Sequence, residues 1–227
     1  MNATPLRHDR APEAALPPAA ASDGAPSPHS ALFQNPSFFL LFRRLAVPLL
    51  RTHEHPKLWI AGCSSAEELY SYCILLEEEG LARRFKLYAT GLDVDILEQA
   101  RNGLLERGMA ADDRHNYREA GGRRQLADHF SEHEDRLELT QSLLERVVFR
   151  VHDSANDGPF DEFQAISCRG LVTRLPGDAQ HRVQGTLHDS LRLFGHLGLG
   201  PGESPGSMHG RSYRSLSASE PLYQRVR

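Results

Sequence analysis

The residues able to do chemistry gather at a few junctions in the chain. From Lys57 to Leu81 it reads KLWIAGCSSAEELYSYCILLEEEGL, and the turn Gly62-Cys63-Ser64-Ser65-Ala66-Glu67-Glu68 combines small side chains, hydroxyls and two acids. Small residues let a ligand approach backbone, and free N–H groups at a helix start can receive it. The two carboxylates make this turn negative, so it repels phosphate and suits a cationic ligand or one recognised through hydroxyls. No Gly-Lys-Ser/Thr follows, which excludes a P-loop, and GxGxxG is absent because Gly62 stands alone. Glu67 and Glu68 also have a plainer use: Ser64 with Glu67 and Ser65 with Glu68 each fit a capping box. Further along, Asp93 and Asp153 each follow a strand-like run, and Cys168-Arg169-Gly170 ends another. Cys168 has no base in view and reads as core rather than nucleophile. His129 and His133 stand four apart beside Asp128 and Glu132, a spacing that a metal can use. No third ligand at a telling distance accompanies them, so a solvated helix face is the better reading.

These residues need a frame. Leu58-Trp59-Ile60 is a continuous apolar run, as a strand covered on both faces should be. Leu69, Tyr70, Cys73, Ile74 and Leu76 then recur at helical spacing up to Gly80. Phe85–Thr90 is a second strand, and Val94–Asn102 a helix closed by Gly103. Strand-helix-strand-helix order implies a parallel sheet with right-handed crossovers. Ahead of it, Asn35-Pro36 opens a helix with a broad apolar face from Phe38 to Leu49, which Pro48 interrupts near its end. From 104 to 146 the pattern degrades, Asp112 to Asn116 reads as solvated, and the stretch is expected to be an insertion or small subdomain. Strands resume at Val147–Val151 and Phe163–Cys168. A helix is predicted over Ala179–Leu193, a strand over Phe194–Leu199, and a closing pair over Tyr213–Leu216 and Leu222–Val226.

Composition narrows the class. A chain of 227 residues supports one sizeable core plus a tail, and its net charge of −4 gives no global pull toward nucleic acid or anionic membrane. No apolar run is long enough to span a bilayer. Residues 1–29 are rich in Ala, Pro, Ser, Gly and Asp, lack the apolar stretch of a secretory signal, and are expected to form a disordered tail. Three cysteines (Cys63, Cys73, Cys168) cannot all pair, and reduced buried thiols suit a cytoplasmic protein.

Five blocks in order, AGCSSAEELYSYCILLEEEGL, YATGLDVDILEQARNG, NYREAGGRRQLADHF, VVFRVHDSANDGPFDEFQAISCRG and SLRLFGHLGLGPGES, resemble the chemotaxis-type protein-glutamate methyltransferases, the CheR-like family. The resemblance runs from about Ser30 to the C-terminus. It implies an α/β fold, the Rossmann-like class I methyltransferase sheet, mostly parallel, with S-adenosyl-L-methionine as cofactor. It further implies γ-methyl esterification of glutamates on receptor helices, hence a receptor-like protein partner. The family's separate N-terminal helical domain has no counterpart in this sequence.

Carried over residue by residue, the resemblance puts Ser30 and Gln34 at the methyl-transfer end, where the family motif resembles Thr-x-Phe-Phe-Arg. Gln34 replaces a fixed cation with a neutral amide. The cofactor side takes Gly62, Ser64, Glu67, Gly91, Asp93, Asp153, Cys168, Arg169 and Gly170. Ala66 stands where the family turn has a second glycine. Gly91 stands where it has the acid that holds the cofactor ribose, so Asp93 becomes the nearest carboxylate. Gly170 and Arg174-Leu175 replace Asn and Tyr-Phe after the fourth family strand. Departures at Gln34, Ala66, Gly91, Gly170 and Arg174, beside a kept framework, leave two readings open. One is a methyltransferase with an eroded site; the other is an inactive relative serving as a ligand-binding or regulatory module in chemotaxis-type signalling.

Overall fold

The computed structural model describes residues 30–105, 108–133 and 136–227, so the tail expected over 1–29 lies outside the described residues. The chain opens with α1 (Pro36–Arg51), β1 (Lys57–Ala61), α2 (Ala66–Glu78), β2 (Lys86–Gly91) and α3 (Val94–Asn102). Next come β3 (Leu104–Leu105), α4 (Ala111–Glu119), β4 (Phe130–His133), β5 (Arg136–Leu139), α5 (Gln141–Leu144) and β6 (Val147–Val151). It finishes with β7 (Phe163–Cys168), α6 (Gly177–Ser190), β8 (Leu191–Leu199), α7 (Gly206–His209), β9 (Tyr213–Ser215) and β10 (Leu222–Arg225).

Seven strands form one sheet in the order β6-β2-β1-β7-β8-β10-β9. The first five run parallel, and β10 and β9 close the edge antiparallel. The chain winds outward from β1 through β2 to β6, then crosses to the other side of β1 for β7. The order therefore reverses between β1 and β7, and a crevice opens there at the C-terminal strand ends.

β1 shows why the apolar run is continuous. Leu58 and Ile60 pack with α1 and α2 on one face, whereas Trp59 and Ala61 pack with Phe163, Ile166, Val183 and Leu187 on the other. Both faces are covered, so both phases of the strand must be apolar. In α2 every residue from Leu69 to Leu76 is buried, which makes it a core helix rather than an amphipathic one.

Four expectations are corrected. Pro48, near the end of α1, does not interrupt it, and the helix runs on to Arg51. Residues 112–116 lie on α4, where Asp112, Arg114 and His115 are exposed as expected but Asp113 is buried, as is Tyr117. Leu191–Leu193 belongs to β8, not to the preceding helix. β8 instead breaks register against β7 between Phe163 and Ala165, near Phe194, which takes a left-handed φ of 66°. Neither Ser65 nor Glu68 serves the capping box: Ser65 makes no side-chain cap on α2.

Within the stretch expected as an insertion, β3, β5 and β4 form a separate three-stranded antiparallel sheet. A buried ionic cluster ties that region to the helices. Arg43 donates to Glu79 at 3.0 Å and to Glu78 at 2.5 Å, and its Nε donates to the Ala120 carbonyl at 2.9 Å. Tyr117 donates a short hydrogen bond to Glu78, and His129 Nδ1 lies 2.9 Å from Glu77 Oε2. His129 is thus engaged by carboxylates, and no metal-ligating cluster occurs among the described residues.

Candidate functional site

A cavity of ≈ 190 Å³ opens at the reversal point of the sheet. Its walls come from three sources: residues 30–35 ahead of α1, the turn after β1, and the ends of β7 and β8. Ser30, Gln34, Asn35, Ser64, Ser65, Glu68, Arg169, Gly170 and Gly200 line it.

The leading segment is held in a strained shape. Phe33 and Asn35, neither of them glycine, have φ of 54° and 62°. Hydrogen bonds fix them there: Leu32 N–H donates to Asp113 Oδ1 at 2.8 Å, Phe33 N–H to Ser71 Oγ at 2.7 Å, and Asn116 Nδ2 to the Leu32 carbonyl at 3.3 Å. Gln34 sits between the two strained residues.

Residues suited to helix capping turn toward the cavity instead. Asn35 precedes α1 without capping it, and its Oδ1 accepts from Arg169 Nη2 at 2.7 Å. Ser65 Oγ lies 2.8 Å from Ser30 Oγ. Glu68 Oε1 accepts from Ser167 Oγ at 2.7 Å. Arg169 also donates to the Gln34 carbonyl at 3.1 Å and lies 4.6 Å and 5.3 Å from the ring centroids of Phe38 and Phe39. Its Nε is buried with no partner among the described residues. The pocket therefore joins a carboxylate, a guanidinium with spare donor capacity and several hydroxyls.

Not every residue named from the sequence is gathered here. Ser30, Gln34, Ser64, Arg169 and Gly170 line the cavity; Gly62, Glu67, Gly91, Asp93, Asp153 and Cys168 do not. Of the adjacent acids it is Glu68, not Glu67, that reaches the wall. Gly62 has φ +71°, and a Cβ there would lie 2.7 Å from Leu171 Cδ2, so only glycine fits between the loops after β1 and β7. Ala66 is not among the positive-φ residues, so its methyl brings no backbone strain.

Asp93 caps α3, accepting from Asp95 N–H at 3.0 Å and Ile96 N–H at 3.2 Å. Asp153 closes a local turn, accepting from Ala155 N–H at 2.9 Å and Asn156 Nδ2 at 2.7 Å. A Cβ at Gly91 would meet the Cys63 carbonyl at 3.0 Å, because Cys63 N–H bonds to the Thr90 carbonyl at 2.7 Å. Cys168 is fully buried, and burial, with the nearby Glu203 and Glu68 charges, pushes its thiol well up. Burial and the Glu68 charge push Cys63 up to about 12. Both remain neutral thiols and neither is a nucleophile.

Sequence reasoning missed Asp113 and Glu203. The buried Glu203 carboxylate accepts from Gly170 N–H, Gly200 N–H and Thr173 N–H, which holds the ends of β7 and β8 together. Glu203 was signalled only by its acidity in a glycine- and proline-rich loop, and Asp113, among other charged residues, by nothing.

The donor set fits the amino-acid end of S-adenosylmethionine: Glu68 complements an ammonium group, and Arg169 a carboxylate. Gly91, the last residue of β2, offers no side chain and lies off the cavity lining.

Residues 29–217 match the family described as CheR methyltransferase, SAM binding domain. Cher3 of Pseudomonas putida is 41% identical over 177 residues, covering 78% of this chain and 65% of that protein. A Listeria innocua protein named chemotaxis protein methyltransferase is 28% identical, covering 77% of this chain and 64% of its own length. One from Salmonella typhimurium is 29% identical, covering 72% and 57%. The chain thus spans just under two thirds of the P. putida and Listeria relatives' lengths. Seven strands wound about a reversal point, with an acid, an arginine and hydroxyls at their C-terminal ends, agree with that match: the chain belongs to the CheR methyltransferase family, and residues 29–217 form its S-adenosylmethionine-binding domain.

Proposed function

We propose that the domain uses S-adenosylmethionine to methylate a carboxylate on a protein, a glutamate of a receptor-like signalling partner. Residues 30–227 would form the methyltransferase domain, with 104–146 as its inserted subdomain. The observation that carries this reading is Glu68 and Arg169 on one pocket at the reversal point of the sheet. The names of the Listeria and Salmonella relatives support a chemotaxis protein as acceptor, and the glutamate comes from the family resemblance alone.

The cofactor, when bound, supplies a methyl group on a sulfonium, which is already a good leaving group. The chain's work is then to bind, orient and exclude water. Glu68 attracts the ammonium, and its negative charge also favours the sulfonium cation. Arg169 would hold the carboxylate through the guanidinium donors not used on Gln34 and Asn35, with Phe38 and Phe39 beside it. Ser64 and Ser65 offer hydroxyls beside them. Ser30 and Gln34 border the acceptor side, where the Gln34 amide orients a carboxylate by hydrogen bonding without neutralising it. A glutamate acceptor is ionised at neutral pH and needs no general base.

Isothermal titration with S-adenosylhomocysteine tests the reading. Binding in the micromolar range is expected, and no heat at millimolar ligand overturns it.

Gly91 favours a second reading, in which the domain holds the cofactor weakly and serves as a regulatory module without turnover. Labelled methyl transfer to a receptor-like protein, abolished by Glu68→Gln, would rule this out. Binding without transfer would favour it.

A further inference from the structure

Glu203 stands in the loop Gly200-Pro201-Gly202-Glu203 that leaves β8, and it is 5% exposed. Such a buried carboxylate persists only when its oxygens are satisfied. Oε2 accepts from Gly200 N–H at 2.6 Å and Gly170 N–H at 2.9 Å, while Oε1 accepts from Thr173 N–H at 2.9 Å and Thr173 Oγ1 at 3.2 Å. Its own N–H returns to the Gly200 carbonyl at 3.0 Å, and its carbonyl accepts from Tyr223 Oη at 3.4 Å. One side chain therefore clamps the segment after β7 to the segment after β8.

The clamp sits directly behind the pocket. Gly170 and Gly200 both line the cavity, and Gly170 is bonded through its neighbour Arg169 to the opposite wall at Gln34 and Asn35. The fit around the carboxylate is close: a Cβ at Gly200 would stand 2.7 Å from Gly170 N and 2.8 Å from Glu203 Oε2. Charge-assisted bonds from backbone N–H groups are the strong, directional kind that fix a loop. Losing the clamp frees the Gly170 peptide to rotate, and Arg169 moves with it.

We propose that Glu203 is a positioning residue for the cofactor pocket, holding Gly170 and Gly200 so that Arg169 reaches across to the leading segment. The proposal rests on the cofactor-binding reading above and adds a residue that does not line the pocket itself.

The test uses the 227-residue chain and Glu203→Gln. The amide keeps size but leaves one acceptor oxygen, so an NH₂ must face either the Gly170 and Gly200 N–H groups or the Thr173 N–H. Affinity for S-adenosylhomocysteine should fall about tenfold or more. Leu187→Ala, a buried change on α6, serves as the stability control: it should lower the melting temperature while leaving affinity within about twofold. Glu203→Asp keeps the charge but shortens the reach, so it should fall between parent and Glu203→Gln; it also replaces Glu203→Gln should that variant not fold.

Amide hydrogen exchange provides a readout that needs no ligand. Gly170, Gly200 and Thr173 should exchange faster in Glu203→Gln, with β1 unchanged. Equal affinity in parent and Glu203→Gln overturns the positioning role. A parent that binds no ligand sinks the cofactor reading instead, and unchanged exchange at Gly170 and Gly200 would then overturn the clamp as well.

Discussion

Leu32 N–H donates to Asp113 Oδ1 across 81 positions of sequence, at 2.8 Å, in the protein interior. The other oxygen of Asp113 accepts from Ala110 N–H at 2.7 Å. One carboxylate thus joins the pocket-lining segment to the start of α4, and it helps hold Phe33 and Asn35 in left-handed backbone. Asp113→Ala strands the buried Leu32 N–H and frees the part-buried Ala110 N–H, and should cost about 2 kcal/mol in urea unfolding, with Asp113→Asn costing roughly half as much. A loss under ~0.5 kcal/mol for the alanine variant would show that the segment is held by other means.

Much of the frame was readable because the sheet repeats simple signals. β1, β2, α3 and the closing hairpin fall close to where periodicity put them. α4 was not readable: Asp112 to Asn116 is polar all along, and the one acid that turns inward carries no mark. The over-long helix at 179–193 arose from Val183, Leu187 and Leu191, which keep helical spacing into a strand that a bulge then bends. At the site, the turn after β1 was found from composition, yet Glu67 was named where Glu68 is the acid on the cavity wall. Adjacent helical positions differ by about 100° in direction, and nothing in the sequence sets that phase against the pocket.

That phase can be tested by titration. Glu68→Gln removes the carboxylate from the cavity wall and should weaken S-adenosylhomocysteine binding about tenfold. Glu67→Gln should change affinity by no more than about twofold or threefold, since Glu67 does not line the cavity. The reverse ranking in calorimetry would return the cofactor role to Glu67.

The Arg43–Glu78 cluster predicts a pH dependence of stability. Burial alone would raise the Glu78 pKa, but bonds from His129, Tyr117, the Arg123 backbone and Arg43 overcome it and lower it from 4.5 to about 2. A carboxyl group depressed in the folded state stabilises above its unfolded pKa, and that contribution disappears as pH falls through the folded value. Stability should therefore decline between about pH 4.5 and 2, by about 2 kcal/mol from this group. Glu78→Gln should lower stability at neutral pH and flatten that decline. Equal slopes for parent and variant in acid titrations of urea unfolding would assign the decline to other carboxylates.

Gly91→Asp separates the two functional readings. Position 91 ends β2 at the C-terminal edge of the sheet, beside the strand that leads into the pocket turn. An aspartate there would put a carboxylate on the nucleoside side, where Asp93 is occupied in capping α3 and Asp153 in its own turn. The obstacle is the Cys63 carbonyl, 3.0 Å from where the Cβ would stand. This contact is tight rather than impossible, so the turn after β1 must yield by a few tenths of an ångström, at about 1 kcal/mol. The melting temperature should fall by a few degrees while S-adenosylhomocysteine binds several-fold more tightly, because a carboxylate facing two ribose hydroxyls gains charge-assisted bonds. Tighter binding accompanied by faster methyl transfer would mark Gly91 as the residue that limits the parent. Tighter binding with no transfer would move the defect to the acceptor side, at Gln34. Unchanged affinity in a folded variant would mean that the nucleoside end of the ligand does not reach β2, and the ribose would then have to be held elsewhere.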